Sequence, residues 1–220
     1  MVINQEFVKN VNQEYKINWN KNKIMKQGLK EKYKKIIVPE LEKELGVKNR
    51  HILPKIEKIS INIGLGRASQ LPNFQDKMFP EILKELTQII GQKPAPTSSK
   101  KSIAGFKLRQ GQTIGLRATL RGERMYDFAD KLVKIVYPRV RDFRGIDLKN
   151  VDKKGNLNLG FRDHFVFPEI SQELSSVDFG MQITLSVKSQ SRDEAILLFK
   201  KIGFLFKKNQ EGSSKSKSKK

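Results

Sequence analysis

Two short stretches of the chain carry polar side chains at every second position. In "KISINIG", residues 58–64, isoleucines alternate with Ser60 and Asn62. In "LRATLR", residues 116–121, apolar residues alternate with Arg117, Thr119 and Arg121. This alternation predicts half-buried strands, and strands of one sheet would share a polar, cationic surface. Short hydroxyl and amide groups suit the minor groove of double-stranded RNA and arginines suit its phosphates, so the pattern favours RNA binding over a merely solvated sheet face.

A long connection beside these stretches is basic and carries no acid. The segment "TSSKKSIAGFKLRQGQTIG", residues 97–115, mixes apolar side chains with four cations. The cations are Lys100, Lys101, Lys107 and Arg109. Phe106 and Leu108 alternate with the last two cations, which predicts that they pack at the base of the loop or against each other. A segment with this charge is expected to face a polyanion.

The glycines after the first stretch do not complete a nucleotide-binding motif. "GLG" at residues 64–66 could begin a dinucleotide loop, but Ser69 stands at the third glycine position. The phosphate-loop pattern, with Lys and then Ser or Thr after glycine, is absent as well. A turn at the end of a strand is therefore the favoured interpretation of these glycines.

Neither histidine has the sequence surroundings of a catalytic or metal site. His51 and His164 have no second histidine at metal-ligand spacing, and we interpret both as surface residues. Asp163 precedes His164, but neighbouring residues of a strand point to opposite faces. Asp142 and Asp147 lie among arginines, which favours local ion pairs; these are Arg139, Arg141 and Arg144. The sequence thus predicts no catalytic residue, no metal site, no cofactor and no enzymatic activity.

The charge balance is the strongest compositional signal. The 220 residues include 44 Lys and Arg against 23 Asp and Glu, a formal net charge of +21. Such a field favours polyanionic partners, with nucleic acid first and an anionic membrane surface second. No apolar run is long enough to span a membrane, and the start of the chain lacks the pattern of a secretory signal. The absence of cysteine excludes disulfides and thiolate sites and is compatible with a reducing compartment.

Helical and strand patterns are mixed without strict alternation, which predicts an α+β fold with a largely antiparallel sheet and helices on one face. Helices are predicted at about 29–45, 78–90, 124–136 and 192–202, and strands at about 59–63, 116–121 and 181–187, with one or two further short strands within 157–170. Ser191 is the predicted N-cap of the last helix, and glycines 46, 91 and 203 are predicted helix stops. We expect an Asn/Lys-rich extension at 1–28 that is disordered alone, a single domain at 29–208 and a basic Ser/Lys tail at 209–220.

Six motifs, in this order, resemble the bacterial form of large-subunit ribosomal protein five. They are "EKISINIGLGRA", "GQKP", "KKSIAGFKLRQGQTIG", "TLRGERMYDF", "PRVRDFRGI" and "FPEI". The resemblance runs from about Leu29 to Lys208. It implies a curved sheet that binds the 5S rRNA of the central protuberance on the face opposite the helices, with a long basic loop between two strands.

The resemblance also assigns residues to two RNA contacts. The expected 5S rRNA site comprises Asn62, Gln92, Thr119, Ser60, Arg117 and Arg121. Of these, Gln92 rests on the resemblance alone. The expected contact with the elbow of the tRNA in the peptidyl site is the loop at about 98–109, with Lys100, Lys101, Ser102, Lys107 and Arg109.

The partners that the resemblance implies are 5S rRNA, 23S-type rRNA, P-site tRNA and other large-subunit proteins of the central protuberance. A bridge to the small subunit is a further expectation. We expect a structural protein that is cytoplasmic and ribosome-bound. The alternative hypothesis is a free-standing RNA chaperone or regulatory RNA-binding protein that uses the same surface.

Overall fold

The computed structural model describes residues 28–47, 49–170 and 177–207. The extension predicted to be disordered spans residues 1–28, and of these only Gly28 lies within the described residues. The prediction of a basic tail at 209–220 lies outside them entirely. The fold that follows is therefore that of the predicted central domain.

Four principal helices and five strands form in the described part of the chain. Helix α1 runs through Leu29–Lys32, Tyr33–Ile37 and Val38–Leu45, and α2 through Phe74–Met78 and Phe79–Ile90. Helix α3 runs through Gly122–Lys131, Leu132–Val136 and Tyr137–Arg139, and α4 spans Arg192–Ile202. The strands are β1 at Lys55–Gly64, β2 at Ala95–Ser98, β3 at Thr113–Leu120, β4 at Leu157–Phe161 and β5 at Met181–Lys188.

The five strands form one antiparallel sheet. Their order across the sheet is β2-β3-β1-β5-β4, and every neighbouring pair is antiparallel. Strand β1 lies in the middle and pairs with β3 on one side and with β5 on the other. The predicted α+β class with an antiparallel sheet is thus confirmed.

Alternate residues of the strands form the floor of the hydrophobic core. Ile59, Ile61 and Ile63 of β1 are each at most 3% exposed, and the helices bury their apolar faces in the same cluster. Leu41 of α1 and Leu86 of α2 are fully buried there. The strand residues between the isoleucines consequently lie on the opposite, open face of the sheet.

Each of helices α1, α2 and α3 contains a π-helical turn directly before an internal proline. The turns are Tyr33–Ile37, Phe74–Met78 and Leu132–Val136, and the prolines are Pro39, Pro80 and Pro138. Proline lacks an N–H, and its ring collides with the carbonyl four residues earlier in a regular α-helix. In all three helices that carbonyl lies at the centre of the wider π turn, which accommodates the proline.

The π turns explain where the predicted helix boundaries were wrong. Helix α3 does not end at Val136 before Pro138 but continues through it to Arg139, and α2 begins at Phe74 rather than Met78. The predicted helix stops are confirmed, because Gly46, Gly91 and Gly203 all adopt positive φ angles after α1, α2 and α4. The predicted N-cap is confirmed too, since Ser191 accepts a hydrogen bond from the backbone N–H of Glu194 at 3.3 Å.

Candidate nucleic-acid interface

The polar residues of β1 and β3 lie side by side on the open face of the sheet. In the antiparallel register, Asn62 is opposite Arg117 and Ser60 is opposite Thr119. The residues between them, such as Ile61 and Ala118, are buried in the core. The two stretches therefore share one surface, as their alternation predicts.

Strands β5 and β4 extend this surface with residues that the sequence reasoning missed. Gln182 is opposite Asn62 and Thr184 is opposite Ser60, so both continue the rows across the sheet. Thr184 Oγ1 donates a hydrogen bond to Asn158 Oδ1 of β4 at 2.8 Å. The signal was present in "MQITLSVK", where every second residue is polar. We call the resulting surface the polar face: Ser60, Asn62, Arg117, Thr119, Asn158, Gln182 and Thr184.

The middle row of the polar face is open to a ligand. Asn62, Arg117 and Gln182 are all exposed, and they lie next to each other on β1, β3 and β5. Among the described residues, none of these three side chains has a hydrogen-bond or ion-pair partner. Two amides and one guanidinium are thus available on adjacent strands, about 5 Å apart per strand step.

A hollow of about 540 Å³ lies at one end of the polar face, beside Asn62 and Gln182. Its wall includes Gly64, Gly115 and Gly180. A Cβ atom at Gly115 would lie only 2.6 Å from the backbone oxygen of Ile63. Glycine at this position therefore permits β1 and β3 to approach closely and keeps the hollow open.

Two of the predicted 5S rRNA residues lie at the border of the polar face rather than on it. Gln92 follows the helix stop Gly91 and is half-buried, three residues before the start of β2. Because Ala95 pairs with Arg117 in antiparallel register, Gln92 lies toward the Thr119 end of β3. Arg121 is exposed and follows β3 as the N-cap position of α3.

The predicted basic loop connects β2 to β3 and presents its cations to solvent. We define the basic loop as residues 99–112. Lys100, Lys101, Lys107 and Arg109 are exposed, and none of them forms an ion pair within the described part of the chain. Ser102 is exposed, and its Oγ accepts a hydrogen bond from the backbone N–H of Gln110 at 3.0 Å, which closes the loop.

The tip of the basic loop is apolar and exposed. Ile103 and Leu108 form a bridge that is closed by the turn Ala104–Phe106. Phe106 is 66% exposed and Ile103 is 45% exposed, so the prediction that Phe106 packs at the loop base is wrong. The alternation fails because the turn and the left-handed backbone of Lys107, with φ 50°, rotate Phe106 outward.

Two glutamine side chains fasten the basic loop to the segment that follows β1. Gln112 Nε2 donates to the backbone oxygen of Ser69 at 2.9 Å, and Gln112 Oε1 accepts from the N–H of Arg109 at 3.1 Å. Gln70 Nε2 donates to the backbone oxygen of Phe106 at 2.9 Å. The loop direction is therefore set by contacts with residues 69 and 70, and "GLG" before them is a strand-end turn, as expected.

The remaining candidate groups do not form a catalytic or metal site. His51 is exposed, but His164 is 0% exposed, so the interpretation of His164 as a surface residue is wrong. The interpretation of Asp142 and Asp147 as ion-pair partners of the nearby arginines is also wrong. Asp147 pairs with Lys207 at 3.1 Å, and no described arginine pairs with either acid. Within the described residues, no three His, Cys, Asp or Glu side chains are grouped so that they could hold a metal ion.

Comparison with known proteins identifies the family of the chain. The family model "Ribosomal protein L5" matches residues 49–109, and a second model, described as the C-terminus of the same ribosomal protein family, matches residues 113–206. The large ribosomal subunit protein uL5 of Nitratidesulfovibrio vulgaris is 47% identical over 180 residues, which are 82% of this chain and 98% of the relative. The protein of the same name from Carboxydothermus hydrogenoformans is 45% identical over 178 residues, 81% of this chain and 97% of the relative.

A third protein named large ribosomal subunit protein uL5, from Rippkaea orientalis, is 43% identical over 183 residues, 83% of this chain and 99% of the relative. Within the described residues, no helix is both long and apolar enough to cross a lipid bilayer. The two matched family models cover most of the chain and meet at the start of β3. The chain therefore belongs to the ribosomal protein L5 family, whose members are structural and non-enzymatic proteins of the large ribosomal subunit.

Proposed function

We propose that this protein binds 5S rRNA through the polar face as a structural constituent of the large ribosomal subunit. The observation that carries the proposal is the middle row, in which Asn62 lies between Arg117 and Gln182 with all three side chains exposed. An A-form RNA helix presents 2′-hydroxyls and base edges in a wide, shallow minor groove. Amides can hydrogen-bond both, and a guanidinium can hold a neighbouring phosphate with two parallel hydrogen bonds.

The second part of the proposal is a contact between the basic loop and the tRNA in the peptidyl site. Four exposed cations without carboxylate partners among the described residues supply affinity for phosphates. The exposed ring of Phe106 can stack on an unpaired base, because proteins hold the unstacked bases of RNA loops by stacking aromatic side chains on them. In the cytoplasm, 23S-type rRNA and other large-subunit proteins of the central protuberance are the further partners.

The 5S rRNA contact is tested by replacing Asn62 with Ala. If the amide is buried against RNA in the complex, its loss leaves a polar group of the RNA unpaired and weakens binding by about 1–3 kcal/mol. The measurement is a direct titration of purified 5S rRNA at fixed salt. Asn150→Ala is the matched control, because Asn150 is exposed in the turn Leu148–Asn150 outside the sheet. Equal affinity of the Asn62 variant and the wild type would refute the contact.

The same titration separates the two parts of the proposal. Lys100, Lys101 and Lys107 changed together to Ala should leave the 5S rRNA affinity unchanged, because the basic loop lies beyond the polar face. The protection of P-site tRNA on ribosomes that carry this variant should be reduced. A loss of 5S rRNA affinity in the lysine variant would instead place the 5S site on the loop.

A further inference from the structure

A buried histidine connects the end of β4 with the start of β5. His164 begins the turn His164–Val166, three residues after β4, and its side chain is 0% exposed. Its ring stacks on that of Phe179, with the centroids 4.0 Å apart and an angle of 6° between the planes. Phe179 lies two residues before β5. The stacked pair therefore joins the two chain segments that lead out of β4 and into β5.

Two carboxylates and a backbone N–H surround the imidazole. His164 Nε2 lies 3.4 Å from Oε2 of Glu85 on α2, and Nδ1 lies 3.6 Å from Oδ1 of Asp178. The backbone N–H of Phe179 donates to the same Nδ1, with 3.5 Å between the two nitrogens. Glu85 is 8% exposed, whereas the side chain of Asp178 is 62% exposed. We call Glu85, His164, Asp178 and Phe179 the His164 cluster.

The other charged groups of the neighbouring elements are directed elsewhere. Arg162 and Asp163, on the same segment as His164, are exposed. Lys131 of α3, the helix that packs on the segment after His164, pairs with Glu169 at 2.7 Å. Burial lowers the pKa of the histidine, and the two carboxylates of the cluster oppose this effect. The titration of His164 is thus controlled by the cluster itself.

The contacts of the ring assign the tautomer of the neutral histidine. Nδ1 accepts the hydrogen bond from Phe179, so it carries a lone pair and the proton is on Nε2. This proton faces Glu85 Oε2, a buried oxygen that otherwise lacks a hydrogen-bond donor among the described residues. A second proton can consequently be added only at Nδ1.

A proton on Nδ1 exchanges the partner of the ring. Two N–H groups, that of the ring and that of Phe179, then oppose each other, while the imidazolium attracts the carboxylate of Asp178. Phe179 is 5% exposed, and a buried backbone N–H without an acceptor is unfavourable. Protonation of His164 is therefore expected to displace Asp178 and Phe179 relative to the ring.

The displaced segment is packed tightly against the end of β4. A Cβ atom at Gly180 would lie 2.9 Å from the backbone oxygen of Arg162 and 3.0 Å from that of Phe161. A movement of Phe179 and Gly180 thus changes the spacing between these two backbones. Phe161, Gly180 and Gln182 all line the hollow at the end of the polar face. The ring of His164 is therefore connected to the hollow through a single residue of backbone, Gly180.

We propose that the His164 cluster is a proton-dependent switch, which sets the shape of the hollow and makes RNA binding at the polar face weaker in acid. The inference rests on the proposed function, because the RNA on the polar face is the ligand whose affinity changes. Its sign is opposite to that of simple electrostatics, since a histidine that gains a positive charge strengthens RNA binding by itself. The chain has two histidines and no cysteine, so few other groups titrate between about pH 5 and about pH 7.5.

The first test is an NMR titration of the full-length protein without RNA, from about pH 7.5 to about pH 5. The ring signals of His164 give the midpoint of its protonation. We expect the backbone amide signals of Phe179, Gly180 and Gln182 to shift with the same midpoint, in the wild type and in the control His51→Gln. These shifts should be absent in His164→Gln, because the glutamine side chain can accept the N–H of Phe179 at every pH.

The wild-type titration requires no substitution, so it decides the question even if His164→Gln does not fold. A His164 ring that titrates while Gly180 and Gln182 stay unchanged would overturn the inference. A ring that takes up no proton above about pH 5 would overturn it as well, because the switch would then not operate.

The second test is the affinity for a 5S rRNA transcript at constant salt over the same pH range. We expect the wild type and His51→Gln to bind about three- to tenfold more weakly at the acid end, because one linked proton changes affinity by at most about tenfold per pH unit. His164→Gln should bind equally well at both ends. Tighter binding of the wild type in acid, or the same pH dependence in His164→Gln, would contradict the switch.

Failure of the proposed function remains distinguishable from these results. It would appear as an Asn62→Ala variant with unchanged 5S rRNA affinity at about pH 7.5, whatever the histidine variants do.

Discussion

At the scale of single residues, His164 shows how the fold changes the chemistry of a side chain. It is 0% exposed, and its ring stacks on Phe179 with the centroids 4.0 Å apart. Its Nε2 lies 3.4 Å from Glu85 Oε2 and its Nδ1 lies 3.6 Å from Asp178 Oδ1. Burial lowers the pKa of His164 below its usual 6.5, and the carboxylates of Glu85 and Asp178 oppose this effect. The imidazole is therefore neutral at pH 7.

The buried histidine predicts how stability changes with pH. The unfolded chain takes up a proton on His164 near pH 6.5, whereas the folded protein takes it up only at lower pH. The contribution is fully present above pH 6.5 and is lost as the pH falls toward the folded pKa, at up to about 1.4 kcal/mol per pH unit. His164→Gln should flatten the fall in unfolding free energy between about pH 7 and pH 5, measured by urea denaturation.

The matched control for this measurement is His51→Gln, because His51 is exposed at the surface. The control should keep the slope of the wild type. If the His164 variant also kept that slope, the histidine would not be the group whose protonation destabilises the fold.

Individual site residues were predictable only where the backbone is regular. Ser60, Asn62, Arg117 and Thr119 lie on the polar face because β1 and β3 maintain a strict two-residue period. His164 was interpreted as a surface residue because its sequence surroundings offer no metal or acid–base partner, but β4 ends at Phe161 and the turn His164–Val166 buries the side chain. Past the end of a strand, alternation no longer indicates which side a residue faces.

At the scale of elements, the basic loop is positioned by the chain segment that follows β1. Gln70, in the segment after β1, donates a hydrogen bond to the backbone oxygen of Phe106 in the loop. Gln112, in the loop, donates one to the backbone oxygen of Ser69 in the segment after β1. A groove of about 620 Å³ separates the rest of the two segments, so these side-chain amides provide much of the contact.

Removal of the Gln112 clamp should loosen the basic loop without unfolding the protein. Gln112→Ala deletes one side-chain hydrogen bond to Ser69 and one to Arg109, each worth about 0.5–1.5 kcal/mol. We expect trypsin to cleave after Lys107 and Arg109 about two- to tenfold faster, while the thermal midpoint falls by only a few degrees. Gln88→Ala, at an exposed position of α2, is the control. Equal cleavage rates in both variants would show that other contacts hold the loop.

The element boundaries show where the sequence was insufficient. The apolar periods predicted helices α1 to α4 but not the π turns that accommodate Pro39, Pro80 and Pro138. Strand β2 was not predicted, because its four residues include Pro96 and none of its side chains is buried. A strand this short is defined by its pairing with β3, which is a tertiary contact and leaves no local pattern.

At the scale of the whole molecule, the cationic features lie on both sides of the polar face. The basic loop leaves the sheet at β2, one outer strand, and the exposed Arg139, Arg141 and Arg162 line a cleft at β4, the other outer strand. Four strand steps separate them, about 19 Å. The proposed arrangement would let one small protein hold 5S rRNA on the polar face and tRNA at the basic loop. In this arrangement the formal net charge of +21 contributes to RNA binding as well as to solubility.

This arrangement predicts that intact large subunits bind the protein with a steeper salt dependence than isolated 5S rRNA does. Each additional phosphate contact releases counterions and adds to the slope of log affinity against log salt. The measurement is co-sedimentation with large subunits over a salt series, beside 5S rRNA titrations at the same concentrations. A free-standing RNA chaperone would instead stay in the soluble fraction at moderate salt. That outcome, or equal slopes for subunits and 5S rRNA, would contradict an RNA-connecting role.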